Sequence, residues 1–441
     1  MPDTVGLEQH ETTSLWGIAK RASACKDHRF QDLYGCLDAN LLLDCWDDLN
    51  KKAASGVDEV TAQAYEQDLI ANILDLTARL KTKCYRAKLV RRCYIPKEGG
   101  GERPLGIPAL EDKLVQLGCA RILKVIYEQD FLDVSYGYRA GRSAKEAVGD
   151  LGFNLQFGKF GYVVEADIKG FFDHLDHDWL LDMLSLRIDD KAFLGLIRQW
   201  LKAGILEIDG QILHPITGSP QGGIVSPILA NVYLHYALDL WFERVVKPRC
   251  KGQALLIRYA DDYVCAFQYR NDAHRFYRVM PGRLEKFGLR VAPEKTRILR
   301  FSRFRPGLRR RFGFLGFELY WNQDRRGDLR VMKRTARKKL GQAKKRIKQW
   351  IRSNRHLPGR QFIKELNRKL VGHYNYFGIR SNEKALGSFF SHAIGCAFKW
   401  LNRRGGKRRS FNWSEFKVAL TKLNVATPRI VEKQREQVVF A

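Results

Sequence analysis

Paired cysteines are missing from this chain. Nine are scattered from Cys25 to Cys396 with no C-x-x-C spacing among them, which speaks against a zinc ribbon and gives no disulfide framework. A reducing cytoplasm suits such a sequence. No apolar stretch approaches the roughly 20 residues that cross a bilayer, and Met1 to His10 is polar, without the apolar core of a signal peptide. The protein is therefore expected to be made and used inside the cell, with no membrane partner. Internal repeats and extended low-complexity segments are missing as well. What is present, 441 residues with 45% apolar content, is enough for two or three domains with cores of their own.

Negative charge is scarce in one region above all. Residues 301–410 hold 31 Lys and Arg against 5 Asp and Glu, an excess of 26 within a net charge of +29. A solvated helix face usually mixes signs, and one-signed density over so long a stretch repels itself unless a polyanion is present. Nucleic acid is the partner this predicts.

The spacing of Leu42, Trp46, Leu49 and Ala53 predicts a helix over 38–53 that stops at Ser55-Gly56, followed by a second from Val57 to about Leu80. Short strands from Leu89 to Pro108 flank the turn Gly99-Gly100-Gly101, with Lys97 before it and Arg103 after it. A helix is predicted over 111–128, then a polar loop (135–143), a strand ending at Asp167, a helix around 178–203 and a Gly/Pro loop over 217–227. Further on come a hairpin around Asp261, a helix over 272–287, a strand at Leu289-Arg290-Val291 and a strand pair over 312–320. Beyond Arg330 the strands are expected to stop. Ala336, Leu340, Ala343, Ile347 and Trp350 then recur at helical spacing, with Lys333, Arg334, Lys338, Lys345 and Lys348 on the other faces. Helices are also predicted over 360–377 and 383–402, followed by the basic loop Arg403 to Arg409.

The chemistry is carried by carboxylates. Asp261 and Asp262 sit between the apolar runs Leu255-Leu256-Ile257 and Val264-Cys265-Ala266-Phe267. Adjacent like charges at the tip of two buried strands resist burial unless a divalent cation neutralises them. Asp167 ends another apolar strand, and three carboxylates from such elements suit a pair of Mg²⁺ ions holding a nucleoside triphosphate. Nucleotidyl transfer is the reaction implied.

Order and company give the motif its specificity. Asp167, the loop Gly218 to Pro227, Tyr259-Ala260-Asp261-Asp262, Pro293-Glu294-Lys295-Thr296 and Phe314-Leu315-Gly316-Phe317 resemble, in succession, the palm motifs of reverse transcriptases. Arg103 to Pro108 and Ser135 to Arg139 resemble the finger motifs of the group II intron-encoded branch, and Leu366 to Phe377 resembles the maturase motif of its thumb domain. The resemblance implies an α+β right-hand polymerase. Fingers and palm with an antiparallel palm sheet would occupy 81–322 after an N-terminal helical extension (1–80). An α-helical thumb/maturase domain (323–380) and a small basic DNA-binding region (381–441) would follow.

Roles follow from the same resemblance. Asp167, Asp261, Asp262 and the backbone carbonyl of Ile168 would hold two Mg²⁺; Lys97 and Arg103 would clamp the phosphates. An aromatic ring four to five residues past Asp167 would collide with a ribose 2′-hydroxyl. Phe172 is the first choice by spacing and Phe171 the alternative, since rings adjacent on an extended chain face opposite ways and one of them is core. Gln221 would meet the incoming nucleotide and template, and Lys295 would either protonate pyrophosphate or be a plain surface lysine. Arg334, Lys338, Lys345, Lys348, Tyr374, Tyr376, Arg403, Arg404 and Arg408 would contact nucleic acid through phosphates and base stacking.

The partners implied are group II intron RNA, a DNA target and primer, and deoxynucleotides. A homodimer is left open, since no heptad seam demands one. Use would be cytoplasmic in a bacterium, at the nucleoid. No cysteine follows Cys396, so the Cys/His endonuclease of many relatives is not expected, and the compact class without it is the nearer likeness. Asp58-Glu59 stands where Asp-Gly is common in the family. Two other readings are a splicing cofactor with a vestigial polymerase, and a reverse transcriptase turned to DNA repair or phage defence. Three retained, mutually repelling acids argue against the first and the maturase-like stretch against the second.

Overall fold

The computed structural model describes residues 14–96, 100–219, 222–324, 326–403 and 410–432. Lys97, Gln221, Arg404 and Arg408 lie outside the described residues. Helices α1 (Leu15–Ala24), α2 (Ala39–Asp48), α3 (Ala62–Glu66) and α4 (Leu69–Lys81) precede strands β1 (Val90–Pro96) and β2 (Glu102–Ile107). Then come α5 (Leu110–Tyr127), α6 (Ala144–Phe157), β3 (Tyr162–Ala166), α7 (His177–Ser185), α8 (Lys191–Lys202), β4 (Ile205–Leu206), β5 (Ile212–Leu213) and α9 (Ser226–Leu234). Strands β6 (Ala254–Tyr259) and β7 (Asp262–Phe267) lead to α10 (Arg270–Glu285), β8 (Arg297–Arg300), β9 (Arg311–Phe314), β10 (Phe317–Gln323) and β11 (Leu329–Thr335). Helices α11 (Arg337–Ser353), α12 (Gly359–Phe377), α13 (Glu383–Leu401) and α14 (Trp413–Lys422) complete an α+β fold.

Contacts divide the chain into two units. The first comprises Met1–Ala140, Ala166–Cys250 and His274–Thr296. Its core gathers Leu42, Trp46, Leu76, Leu114, Ile122 and Leu180, each almost wholly buried and worth about 1.5–3 kcal/mol. Its sheet has the order β2-β1-β4-β5, antiparallel except for the β1/β4 pair. Several predicted boundaries shift. Helix α2 stops at Asp48 because Leu49 turns extended, so Ala53 is exposed. The helix expected from Val57 begins only where the Thr61 hydroxyl accepts the Ala64 amide, and it breaks at 67–68. The helix expected over 178–203 is two, since the Asp190 carboxylate caps α8 by accepting the Phe193 amide at 2.9 Å. The strand expected at 289–291 is a single bridge between Ile168 and Val291.

The second unit comprises Gly141–Glu165, Lys251–Ala273 and Arg297–Ala441. It holds one sheet of order β6-β7-β3-β8, a second of order β11-β10-β9, and helices α11 to α14 around Ile351, Phe362, Leu366, Leu370, Tyr374 and Phe389. The strands do not stop at Arg330. Leu329–Thr335 pairs with β10, and Lys333 and Arg334, expected on a helix, are strand residues whose charges meet Glu432 and Glu318. Those two partners make a basic stretch stable as β-structure. Among the described residues no helix is long and apolar enough to cross a membrane.

Candidate active site

The acidic hairpin belongs to the second unit. Tyr259 pairs with Asp262, so Ala260 and Asp261 form a two-residue tip with Ala260 left-handed at φ 55°. This conformation costs a non-glycine residue roughly 1–2 kcal/mol. Arg258 offsets it: its guanidinium is fully buried and Nη1 donates to the Ala260 carbonyl at 3.0 Å. Sequence reasoning passed over Arg258, although a charge inside an otherwise apolar strand signals a required partner. Asp262 is exposed and Asp261 half-buried.

Strand β3 lies next to β7. The Gly161 amide, just before β3, donates to the Phe267 carbonyl at the end of β7 at 2.9 Å, which makes the pair antiparallel. The exit of β3 at Glu165 and the entry of β7 at Asp262 therefore share one edge of the sheet. Asp167 is the second residue after Glu165.

In the first unit Asp167 is half-buried, and its Oδ2 accepts from the Lys295 ammonium at 2.7 Å. Backbone bonds run from Ala292 to the Asp167 carbonyl and from Lys169 to the Arg290 carbonyl, both 2.8 Å. They bracket Ile168, whose carbonyl meets no donor among the described residues although the residue is buried. An open carbonyl beside a carboxylate is a hard-oxygen donor set that Mg²⁺ fits. Among the described residues no group of three or more His, Cys, Asp and Glu side chains forms a metal cage. Mg²⁺ is ordinarily held by one or two carboxylates completed by water and substrate oxygens.

The two phenylalanines are not on an extended chain. Phe171–Asp173 is a 3₁₀ turn, with Phe171 buried against Tyr233 and Phe172 half-exposed. The Phe172 carbonyl accepts from the Ser219 amide at 2.8 Å, tying the turn to the Gly/Pro loop. At the other side of that loop Gly222 has φ +122°, and a Cβ there would stand 2.4 Å from the Gly106 carbonyl of β2, so only glycine fits. Arg103 lies on β2 opposite Ile95 and is exposed. Arg139 of the finger motif serves structure: it pairs with Glu128 at 2.7 Å and donates to two carbonyls. Asn231, also unforeseen, donates to the Gly137 carbonyl at 2.6 Å.

The basic helices sort the remaining residues. Lys338, Lys345 and Lys348 are exposed on α11 and, among the described residues, in no ion pair. Arg334 is neutralised by Glu318 at 2.8 Å. Tyr374 is fully buried, its hydroxyl donating to the Ala426 carbonyl at 3.2 Å, so it offers no face to a base and that expectation is corrected. Tyr376 is 43% exposed, yet its ring stacks on Phe317 and its hydroxyl donates to the Leu315 carbonyl at 3.1 Å. Burial first, then Tyr259 and Asp262, raise its pKa. Arg403 is exposed, with its guanidinium over Trp400.

A carboxylate-tipped hairpin on an antiparallel sheet, followed by exposed basic helices, defines a nucleic-acid-handling class. The particular family follows from comparison. Residues 95–319 match the family described as reverse transcriptase (RNA-dependent DNA polymerase), and the chain belongs to it. Residues 340–415 match the group II intron, maturase-specific domain. The chain is similar to the group II intron-encoded protein LtrA of Lactococcus lactis subsp. cremoris, 43% identical over 188 residues, 42% of this chain and 30% of that protein. It is also similar to protein YkfC of Escherichia coli (strain K12), 31% identical over 312 residues, 63% of this chain and 78% of that protein. A 91 kDa protein in cob intron of Schizosaccharomyces pombe is 40% identical over 190 residues, 43% of this chain and 23% of that protein. The chain thus spans under a third of LtrA.

Proposed function

We propose that this protein is an RNA-directed DNA polymerase that binds group II intron RNA, assists its splicing and copies it into DNA from a primer at the target site. The observation that carries the reading is the shared sheet edge of β3 and β7 in the second unit, where the exit of β3 meets the hairpin that presents Asp261 and Asp262. Family membership and the maturase-domain match support it. The fingers, palm, thumb and basic tail would then follow the family's right-hand order along the chain.

Asp167, Asp261 and the Ile168 carbonyl would hold two Mg²⁺, with Asp262 orienting the site. When bound, these ions would supply charge stabilisation for the primer 3′-oxygen and the leaving pyrophosphate. Arg103 and Lys97 would hold the triphosphate from the β1–β2 hairpin, and Gln221 would meet the nucleotide. Phe172, the more exposed of its pair, would exclude a 2′-hydroxyl. Lys295, bonded to Asp167 in the absence of substrate, would exchange that partner for pyrophosphate and donate a proton from Nζ.

Primer extension on an RNA template with Mg²⁺ and deoxynucleotides tests this, comparing wild type with Asp261→Ala. Cation-dependent cDNA synthesis that the variant loses is expected. No synthesis by a folded, RNA-binding wild type would overturn the polymerase reading and leave a splicing cofactor.

A further inference from the structure

The loop joining β8 to β9 carries Arg303, Arg305, Arg309 and Arg310 with no acid between them, and it takes no part in the reaction described above. Among the described residues none of the four is in an ion pair. Unopposed guanidinium groups this close together repel one another, an arrangement that suits a bound polyanion.

Aromatic rings stand beside Arg303. Phe304 is 65% exposed, with the Arg303 guanidinium 4.7 Å over its ring. Arg303 also donates through Nη1 to the Phe157 carbonyl at the end of α6, at 3.2 Å. Phe157 and Phe153 are 54% and 44% exposed, and their rings lie 4.9 Å apart. Three large apolar rings left in solvent around Arg303 cost free energy in the isolated protein. They are the elements that bind single strands: π-faces for bases and guanidinium groups for phosphates.

The patch is also remote from the carboxylates within its own sheet. The Phe301 amide donates to the Gly161 carbonyl, so the loop departs from the entry end of β3. Glu165 and Asp262 lie at the opposite end, roughly 13 Å away at about 3.3 Å per residue.

We infer that residues 302–310, with Phe153 and Phe157, form a separate site for single-stranded RNA, where unpaired bases stack on the phenylalanines and arginines grip the phosphates. Unpaired RNA loops are the usual targets of such surfaces, and this assignment rests on the proposed role in handling intron RNA.

The test uses the full chain, saturated with a pre-annealed primer–template so that the polymerase site is occupied. An oligouridylate RNA about twelve nucleotides long, carrying 5-iodouridine, is cross-linked to it by light, and the attached peptides are mapped by mass spectrometry. Cross-links at Phe304 or Phe157 are expected. Their yield should fall about tenfold in Arg305→Gln/Arg309→Gln, which removes two phosphate contacts but keeps both rings, and should persist in Phe304→Trp. Melting curves like the wild type's confirm that the variants fold. No cross-link to either peptide, as for a patch that docks a protein, would overturn the site, and an equal yield from the matching DNA oligonucleotide would overturn its assignment to RNA. Loss of cDNA synthesis bears on the polymerase reading alone, because the cross-link map is read without turnover.

Discussion

Replacing Tyr376 by phenylalanine removes one oxygen from the junction between α12 and the β9–β10 turn. That turn is strained: Leu315 has φ 49° and Gly316 φ 79°, and a left-handed leucine costs roughly 1–2 kcal/mol. Its two carbonyls are held from outside, Leu315 by the Tyr376 hydroxyl at 3.1 Å and Gly316 by the Ala336 amide at 2.9 Å. A neutral hydrogen bond is worth about 1 kcal/mol net, and Tyr376 is exposed enough for water to replace part of it. A loss of about 0.5–1 kcal/mol shifts the equilibrium between the held and relaxed turn by about two- to fivefold. In steady-state primer extension the expected result is a KM for pre-annealed primer–template raised by about that factor, with kcat nearly unchanged. Tyr376→Ala should cost more, because the stack on Phe317 is worth roughly a further 0.5–1.5 kcal/mol. Intron RNA affinity should stay the same in both. Unaltered extension by Tyr376→Phe together with weakened RNA binding would refute the argument and return Tyr376 to the RNA-contact role that its place in the sequence suggests.

Lys295→Met breaks an ion pair whose lysine is largely exposed, so thermal stability should move by less than about 1 kcal/mol. Single-turnover nucleotide addition should slow by about a hundredfold if the ammonium is the proton donor; an unchanged rate would make Lys295 a surface lysine. Glu432 accepts from the Lys333 ammonium at 3.0 Å and the Arg380 amide at 2.7 Å. Glu432→Ala should therefore cost about 2–3 kcal/mol in urea unfolding, and no change would show that the 424–432 segment bears no strain. Burial, aided by Arg346, lowers the His373 pKa to about 4 from 6.5. The unfolded chain binds a proton that the folded one refuses in that window, so stability falls as pH drops through it, by about 1–2 kcal/mol at pH 5. His373→Phe, which can keep the stack on Phe389, should flatten the dependence, and unfolding midpoints at pH 7 and 5 measure it.

The acidic hairpin was legible because its signal is local: a two-residue tip, two carboxylates and apolar flanks fall within fifteen residues or so. Helix α12 was legible for a similar reason, since Leu366, Leu370 and Tyr374 recur four apart and all turn inward. The same spacing could have excluded Tyr374 as a base-stacking residue. Helix α6 was missed although Ser143-Ala144-Lys145-Glu146 has the pattern of a capping box and the Ser143 hydroxyl accepts the Glu146 amide. The strand β11 could not be read locally. Its cations are satisfied by Glu318 across the hairpin and by Glu432, 99 residues on from Lys333, and pairing over that separation leaves no trace in a window of sequence. Arg258 and Asn231 belong to the same kind, polar groups whose carbonyl partners exist only after folding.

One helix joins the parts that the sequence presents as separate motifs. The inner face of α12 is core, its last turn carries Tyr376 and Phe377 against Phe317 at the β9–β10 turn, and Lys364, Arg368 and Lys369 lie along its length. The Tyr376 hydroxyl bridges this helix to the Leu315 carbonyl of the turn at 3.1 Å. The position of α12 and the geometry of the turn are thus linked through that bond and the ring stack. The Tyr376 phenol also feels the charges of Tyr259 and Asp262, which after burial raise its pKa. Whatever grips the cations of α12 and shifts the helix must move that hydroxyl with it. Tyr376→Phe is therefore the substitution that separates the holding of nucleic acid by the helix from the shape of the turn beneath it.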